Sequence, residues 1–275
     1  MNQQHKGTAS AYLKYAFFFG WSILVFAYYF PSLWKGDLTG LLDYFPYRFF
    51  VQCGIIDIFL ACWVILVTYA VGNFVLQISH LKGIRNGENI FLSFAFGFIL
   101  ISFLSLFLAL IGFLYSFIFY TILAGVTCLT IDRIRGLLNL LKEEVLNFYN
   151  EISSASFWQK AFVIFLLFYF SVLFFVSFIH SLGPEIGTDP IVYRLFPLRV
   201  YADNHGLMSI PEVRGTFSAK NVQMYFLFGY MLHNEITIKV MNLILGIILC
   251  YTIYSISNRY FGRIPGLSAS VLFYS

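Results

Sequence analysis

One stretch of this 275-residue chain gathers acids, bases, aromatics and turn residues outside the apolar runs: residues 183–233, GPEIGTDPIVYRLFPLRVYADNHGLMSIPEVRGTFSAKNVQMYFLFGYMLH. Any chemistry the chain performs belongs there. Within it, Thr188-Asp189-Pro190 is a helix start signal, because a side-chain oxygen satisfies an orphan amide and a proline at the first helical position has no amide to lose. A short helix is expected from Pro190 toward Phe196, with Ile191, Val192, Leu195 and Phe196 forming an apolar strip along a membrane surface. Pro197 bends or restarts it. A carboxylate such as Asp189 can take a proton from a hydroxyl. Arg194 and Arg199 follow it, and Arg214 and Lys220 come later; a guanidinium grips a phosphate through two parallel hydrogen bonds. Helix capping alone also accounts for Asp189, and each arginine taken singly can snorkel to lipid headgroups.

The elements that position these residues are apolar. Of all residues, 60% are hydrophobic, 21% aromatic and only 11% charged, too few charges to cover a water-soluble body. The net charge of +4 is spread along the chain, which excludes a nucleic-acid partner and suits loops facing anionic lipid. The expected fold is all-α: a polytopic transmembrane bundle with a long extracytoplasmic loop carrying short juxtamembrane helices. A crossing needs about 20 apolar residues, and spans are expected over 13–34, 52–78, 90–112, 114–131, 161–182 and 234–256. The apolar run 90–131 is too long for one crossing and is split at Gly112 as a tight helical hairpin. A cytoplasmic N-terminus places ten of the 17 Lys and Arg residues inside, the orientation the positive-inside rule favours.

Three units follow: N-terminal transmembrane helices over 1–131, a cytoplasmic connector over 132–160, and a third unit over 161–275 that contains the loop 183–233. The connector carries Ile134, Leu137, Leu138, Leu141, Val145 and Leu146 mostly at steps of three and four, the pattern of an amphipathic helix on the inner leaflet or beneath the bundle. After Arg263 a new apolar run ends at Ser275, too short to cross a bilayer; the expectation is an N-terminal piece of a longer polypeptide. Cys53, Cys62, Cys128 and Cys250 all lie in apolar runs without metal-ligand spacing and read as packing residues. Asp57 lies shallow in its span, at the outer interface or bordering the same site. Glu235 and Lys239, four apart, favour an ion pair. His80, His180 and His233 fall at span ends.

Taken together, the span ending before Gly183 and the loop Thr-Asp-Pro-Ile-Val-Tyr-Arg-Leu-Phe-Pro-Leu-Arg-Val-Tyr resemble the first catalytic loop of GT-C membrane glycosyltransferases. These are the bacterial enzymes that use polyprenyl-phosphate sugars, of the protein mannosyltransferase and aminoarabinose transferase type. The likeness rests on Asp189, Tyr193, Arg194, Phe196-Pro197 and Tyr201, continues through Gly206, Pro211 and the apolar helix from Val222 to Leu232, and covers residues 160–275. It departs from the family at Arg194, where His is common, and in the proline after Asp189. The resemblance implies transfer of a sugar from a polyprenyl-phosphate donor to an unspecified acceptor at the outer face of a cell membrane. Asp189 would be the base or a metal ligand, and Arg194 and Arg199 the partners of the departing phosphate. Glu185 could join Asp189 in holding a divalent metal such as Mg or Mn, since hard cations take oxygen ligands. Tyr193, Tyr201, Phe217 and Tyr225 would supply stacking surfaces, and Glu185 and His205 further substrate contacts; an interfacial aromatic belt is the plain alternative for the tyrosines.

Other functions fit the same composition. A transporter or flippase for a lipid-linked saccharide would place charged or broken-helix features near the midplane, and the deep parts of these spans are nearly free of charge. A polysaccharide polymerase or ligase would lean on the external arginines more than on Asp189. A non-catalytic membrane subunit is the remaining alternative.

Overall fold

A computed structural model describes residues 54–79, 86–183, 194–210 and 221–275. The described residues form eight helices and no strand: α1 (Gly54–Ile78), α2 (Asn86–Leu110), α3 (Ser116–Ser154), α4 (Phe157–Leu182), α5 (Phe196–Asp203), α6 (Asn221–Leu232), α7 (Glu235–Phe261) and α8 (Arg263–Tyr274). Five of them, α1 to α4 and α7, are long and apolar enough to cross a membrane. They carry large apolar side chains on their outer faces, among them Phe59, Phe103, Phe107, Phe117, Phe168 and Phe175. Such a surface is tolerated in lipid and not in water, and the protein is a multi-pass helical bundle, as its composition requires. The expected span 13–34 lies outside the described residues.

The helices alternate in direction. One end, here called upper, holds the start of α1, the α2–α3 turn, the end of α4 and the start of α7. Bonds between distant segments agree on this: Tyr120 Oη donates to the Leu232 carbonyl (2.6 Å) at the upper end, while Arg259 pairs with Glu88 at the lower end.

The hairpin at Gly112 is as expected. Phe113 N–H bonds to the Leu108 carbonyl (2.9 Å) and Gly112 N–H to that of Ala109 (3.4 Å), the two bonds of a Schellman ending, which requires a left-handed residue. Gly112 supplies it with φ of 75°. The connector is helical, and residues 132–154 continue α3 without a break, because neither a proline nor a positive-φ residue interrupts them. At 1.5 Å per residue the 39-residue helix is about 58 Å long, well beyond one bilayer. Its second half exposes Leu138, Val145 and Leu146. It stops at Ala155, and Ser156 opens α4 with a capping box to Gln159.

α1 and α2 form the tightest pair. A Cβ on Gly72 would sit 1.7 Å from the Ser93 carbonyl oxygen, and one on Gly97 would sit 1.8 Å from that of Thr68. Small residues let membrane helices approach backbone to backbone, where dispersion replaces the missing hydrophobic drive. Gly72→Ala and Gly97→Ala are therefore expected to lower stability by about 1–3 kcal/mol each. Thermal unfolding in mild detergent reads this against Gly125→Ala, a site with nothing within 4 Å, which should lose nothing.

Candidate functional site

A cavity of about 910 Å³ opens in the upper half of the bundle between α4, α5, α6, α7 and α8. Its wall changes character with depth. Near the upper end stand His180 and Ser181 from the last turns of α4, Arg194 just before α5, and Lys239 and Asn242 from the second and third turns of α7. Further down the wall is mainly apolar, with Leu243, Leu245 and Gly246 on α7, Phe226 on α6 and Phe98 from the middle of α2, broken by Gln223 at the deep start of α6 and Tyr274 at the end of α8. The cavity thus has a cationic mouth and an uncharged, mainly apolar floor, the pattern of an amphiphile with an anionic head.

Local sequence explains the mouth. Asn234 caps α7, accepting from the amides of Ile236 (2.7 Å) and Thr237 (3.3 Å), and so fixes where the helix starts and which face carries Lys239. On that face Ile238, Lys239, Asn242 and Gly246 recur at steps of three and four. Lys239 Nζ donates to the Gly183 carbonyl at the end of α4 (2.9 Å). That bond ties α7 to the end of α4, a contact between helices that spacing along α7, which points to Glu235, does not reveal. Arg194 is exposed at the rim, and α5 then begins with Pro197 in its first turn, where the absent N–H costs no bond.

Of the residues singled out in the loop, Glu185, Asp189 and Tyr193 lie outside the described residues, as do Thr188, Pro190, Pro211, Arg214, Phe217, Lys220 and most of the expected helix ending at Phe196. Arg194 lines the cavity. Arg199 does not; it points into solvent and pairs with Asp203 one turn on (3.8 Å). Tyr201 is 2% exposed, a packing residue whose phenol is pushed above its ordinary pKa by burial. Tyr225 is likewise fully buried, its hydroxyl bonded to Thr68 (2.9 Å) and its ring 4.3 Å from Phe98. His205 belongs to a turn that braces the α2–α3 hairpin: its Nδ1 lies 3.0 Å from the Leu114 carbonyl, its ring stacks on Tyr115 at 4.2 Å, and its own carbonyl accepts from Leu114 N–H. Sequence reasoning missed Lys239 as a cavity residue and His180 beside it. The signal for both was their place within a turn or two of a span end.

Asp57 sits at the upper end of the bundle, as expected, but does not line the cavity. It is completely buried in the first turn of α1, and three side chains from the α6–α7 junction converge on it. Thr237 Oγ1 and His233 Nδ1 (2.8 Å) donate to Oδ1, and Asn234 Nδ2 approaches Oδ2 at 3.4 Å. A carboxylate only accepts, so the His233 proton sits on Nδ1. The carboxylate also lies at the N-termini of α1 and α7, where the helix dipoles favour negative charge. Three bonds and two dipoles offset its desolvation.

Cys62 and Cys128 face outward and Cys250 is buried, all three as free thiols; Cys53 lies outside the described residues. Among the described residues no three His, Cys, Asp or Glu side chains are grouped to hold a metal ion. Comparison with protein-family models, with curated proteins and with solved structures finds no match.

Proposed function

We propose that the cavity holds the phosphate and first isoprene units of a polyprenyl-phosphate-linked sugar, and that the protein transfers the sugar to an acceptor at the extracytoplasmic face of a cell membrane. The observation that carries this reading is the graded wall: Arg194 and Lys239 at one end of a 910 Å³ hollow whose other end is mainly apolar and carries no charged side chain. A membrane-anchored phosphate lies with its head at the interface and its chain along the spans. Two cations at that depth stabilise it both as donor and as leaving group. With the N-terminus in the cytoplasm, the upper end is the outer one.

Asp189 is the proposed base. The segment that carries it begins at Gly183, held by Lys239, and ends at Arg194 on the cavity rim, so Asp189 is tethered within six residues of the cavity on one side and five on the other. A divalent metal shared by Glu185 and Asp189 belongs to the same proposal. The polymerase or ligase reading also draws on the cavity, since its chemistry relies on cations, and Arg194 and Lys239 are those lining it.

Binding tests the shared premise. Farnesyl phosphate added to the protein in lipid nanodiscs should bind saturably, and Arg194→Gln and Lys239→Gln should each weaken it by roughly tenfold, the worth of one charge-assisted hydrogen bond. Arg199→Gln, which alters a residue off the cavity, should change it less than twofold. Equal affinity across all four proteins would remove the cavity from the mechanism.

A further inference from the structure

A second polar hollow, of about 470 Å³, lies at the lower end of the bundle, between the last turns of α1, the first turn of α2 and the middle of α3. Arg133 stands on its wall. Counting from Ser116 at the upper end, seventeen residues of α3 bring Arg133 about 26 Å down the bundle, the depth of the opposite headgroup layer. The side chain is held from both directions. Its Nη1 donates to Gln77 Oε1 and to Asn73 Oδ1 (3.3 Å), and the guanidinium lies over the Phe74 ring at 4.9 Å. Asn73 is itself fixed, with Nδ2 on Ser93 Oγ (3.3 Å) and Gln77 Nε2 donating to its Oδ1 (3.0 Å).

This network uses only the Nη1 corner. The donors on Nε and Nη2, the edge whose two parallel N–H groups match a pair of phosphate oxygens, meet no acceptor among the described residues. Nor does a carboxylate neutralise Arg133 there: Asp132, also on the wall, pairs with Arg135 (3.7 Å). The wall carries one cation, Arg133, and one anion, Asp132, and so is neutral as a whole, suited to a monoanionic diester more than to a dianion. Leu129, one turn above Arg133 and also on the wall, is 86% exposed on the lipid-facing surface. A ligand seated on the guanidinium would therefore have its apolar part beside lipid.

We propose that this hollow is a binding site for the phosphodiester headgroup of an anionic phospholipid, with Arg133 as the anchor and Asn73 and Gln77 as the groups that orient it. Lipid held there joins α1 to α3 at the lower end and is independent of the upper cavity.

Native mass spectrometry of the full-length protein, released from mild detergent with added phosphatidylglycerol, tests the site. The wild type should retain the lipid. Arg133→Gln should weaken retention by roughly tenfold, and Arg135→Gln by less than twofold. Arg133→Lys, which keeps the charge and loses the fork, should fall between them and serves if the Gln variant misfolds. Gln77→Leu, which frees the guanidinium to rotate, should also weaken retention. Retention unchanged in Arg133→Gln or Arg133→Lys would overturn the proposal, as would full displacement of the lipid by an equimolar amount of inorganic phosphate.

Discussion

Asp189→Asn in the full-length protein is expected to leave expression and thermal stability unchanged while cutting sugar transfer by a factor of about 10²–10⁴, the usual worth of a general base. The substitution separates the two readings of this residue. Asparagine caps a helix as well as aspartate does, so a residue that only caps the turn after Thr188 loses nothing. An amide cannot take the acceptor's proton, so a catalytic residue loses nearly everything. A transfer assay with a short-chain polyprenyl-phosphate sugar decides, and wild-type turnover in the variant would refute the base assignment. Comparison with Arg194→Gln adds a second decision. A greater loss from the arginine variant than from the aspartate variant would favour the polymerase or ligase reading, in which cationic stabilisation of the leaving phosphate dominates.

Asp57→Leu should give a large loss of stability, about 3 kcal/mol, since it removes the shared acceptor of three donors. Thr237, fully buried, would be left unsatisfied, while His233 and Asn234, partly open, would have to turn to water. Asn234 also caps α7, so the damage should reach the start of the helix that carries Lys239. Asp57→Asn keeps the shape and one acceptor oxygen, and should cost less than half as much. Thermal unfolding in detergent, followed by helical circular dichroism, measures both. A melting temperature for Asp57→Leu within a degree or two of the wild type would mean that the clamp contributes nothing. The same variant should weaken farnesyl phosphate binding only in proportion to the loss of fold, because Asp57 does not line the cavity.

Much of this molecule is legible in one dimension. The spans from α1 onward follow from counting apolar residues against the thickness of a bilayer, and the hairpin at Gly112 follows from a run too long to cross once. What spacing leaves open is also informative. Residues 132–160 read as a unit of their own, an amphipathic connector, because their charge content differs from that of the span before them. A helix ends where its backbone bonding is interrupted and not where its polarity changes, and nothing between Ser116 and Ser154 interrupts it. Glu235 and Lys239 read as a pair because spacing knows only neighbours on one helix, whereas the Gly183 carbonyl comes from another.

The sequence by itself determined that the chain is a membrane bundle, how many of its described helices cross, and that chemistry-bearing residues collect around the segment after α4. Hydrophobicity and length act residue by residue, and the bilayer imposes the same ruler on every span. Only the tertiary structure decided which of those residues meet. Arg194 and Lys239 share a cavity across 45 positions of chain, Arg133 reaches Asn73 and Gln77 across about 60, and Asp57 is buried by partners some 180 residues away. Those meetings depend on the rotation of each helix about its own axis, which is set by backbone contacts such as Gly72 on Ser93 and by caps such as Asn234. No periodicity within a single helix encodes the face its neighbour will present.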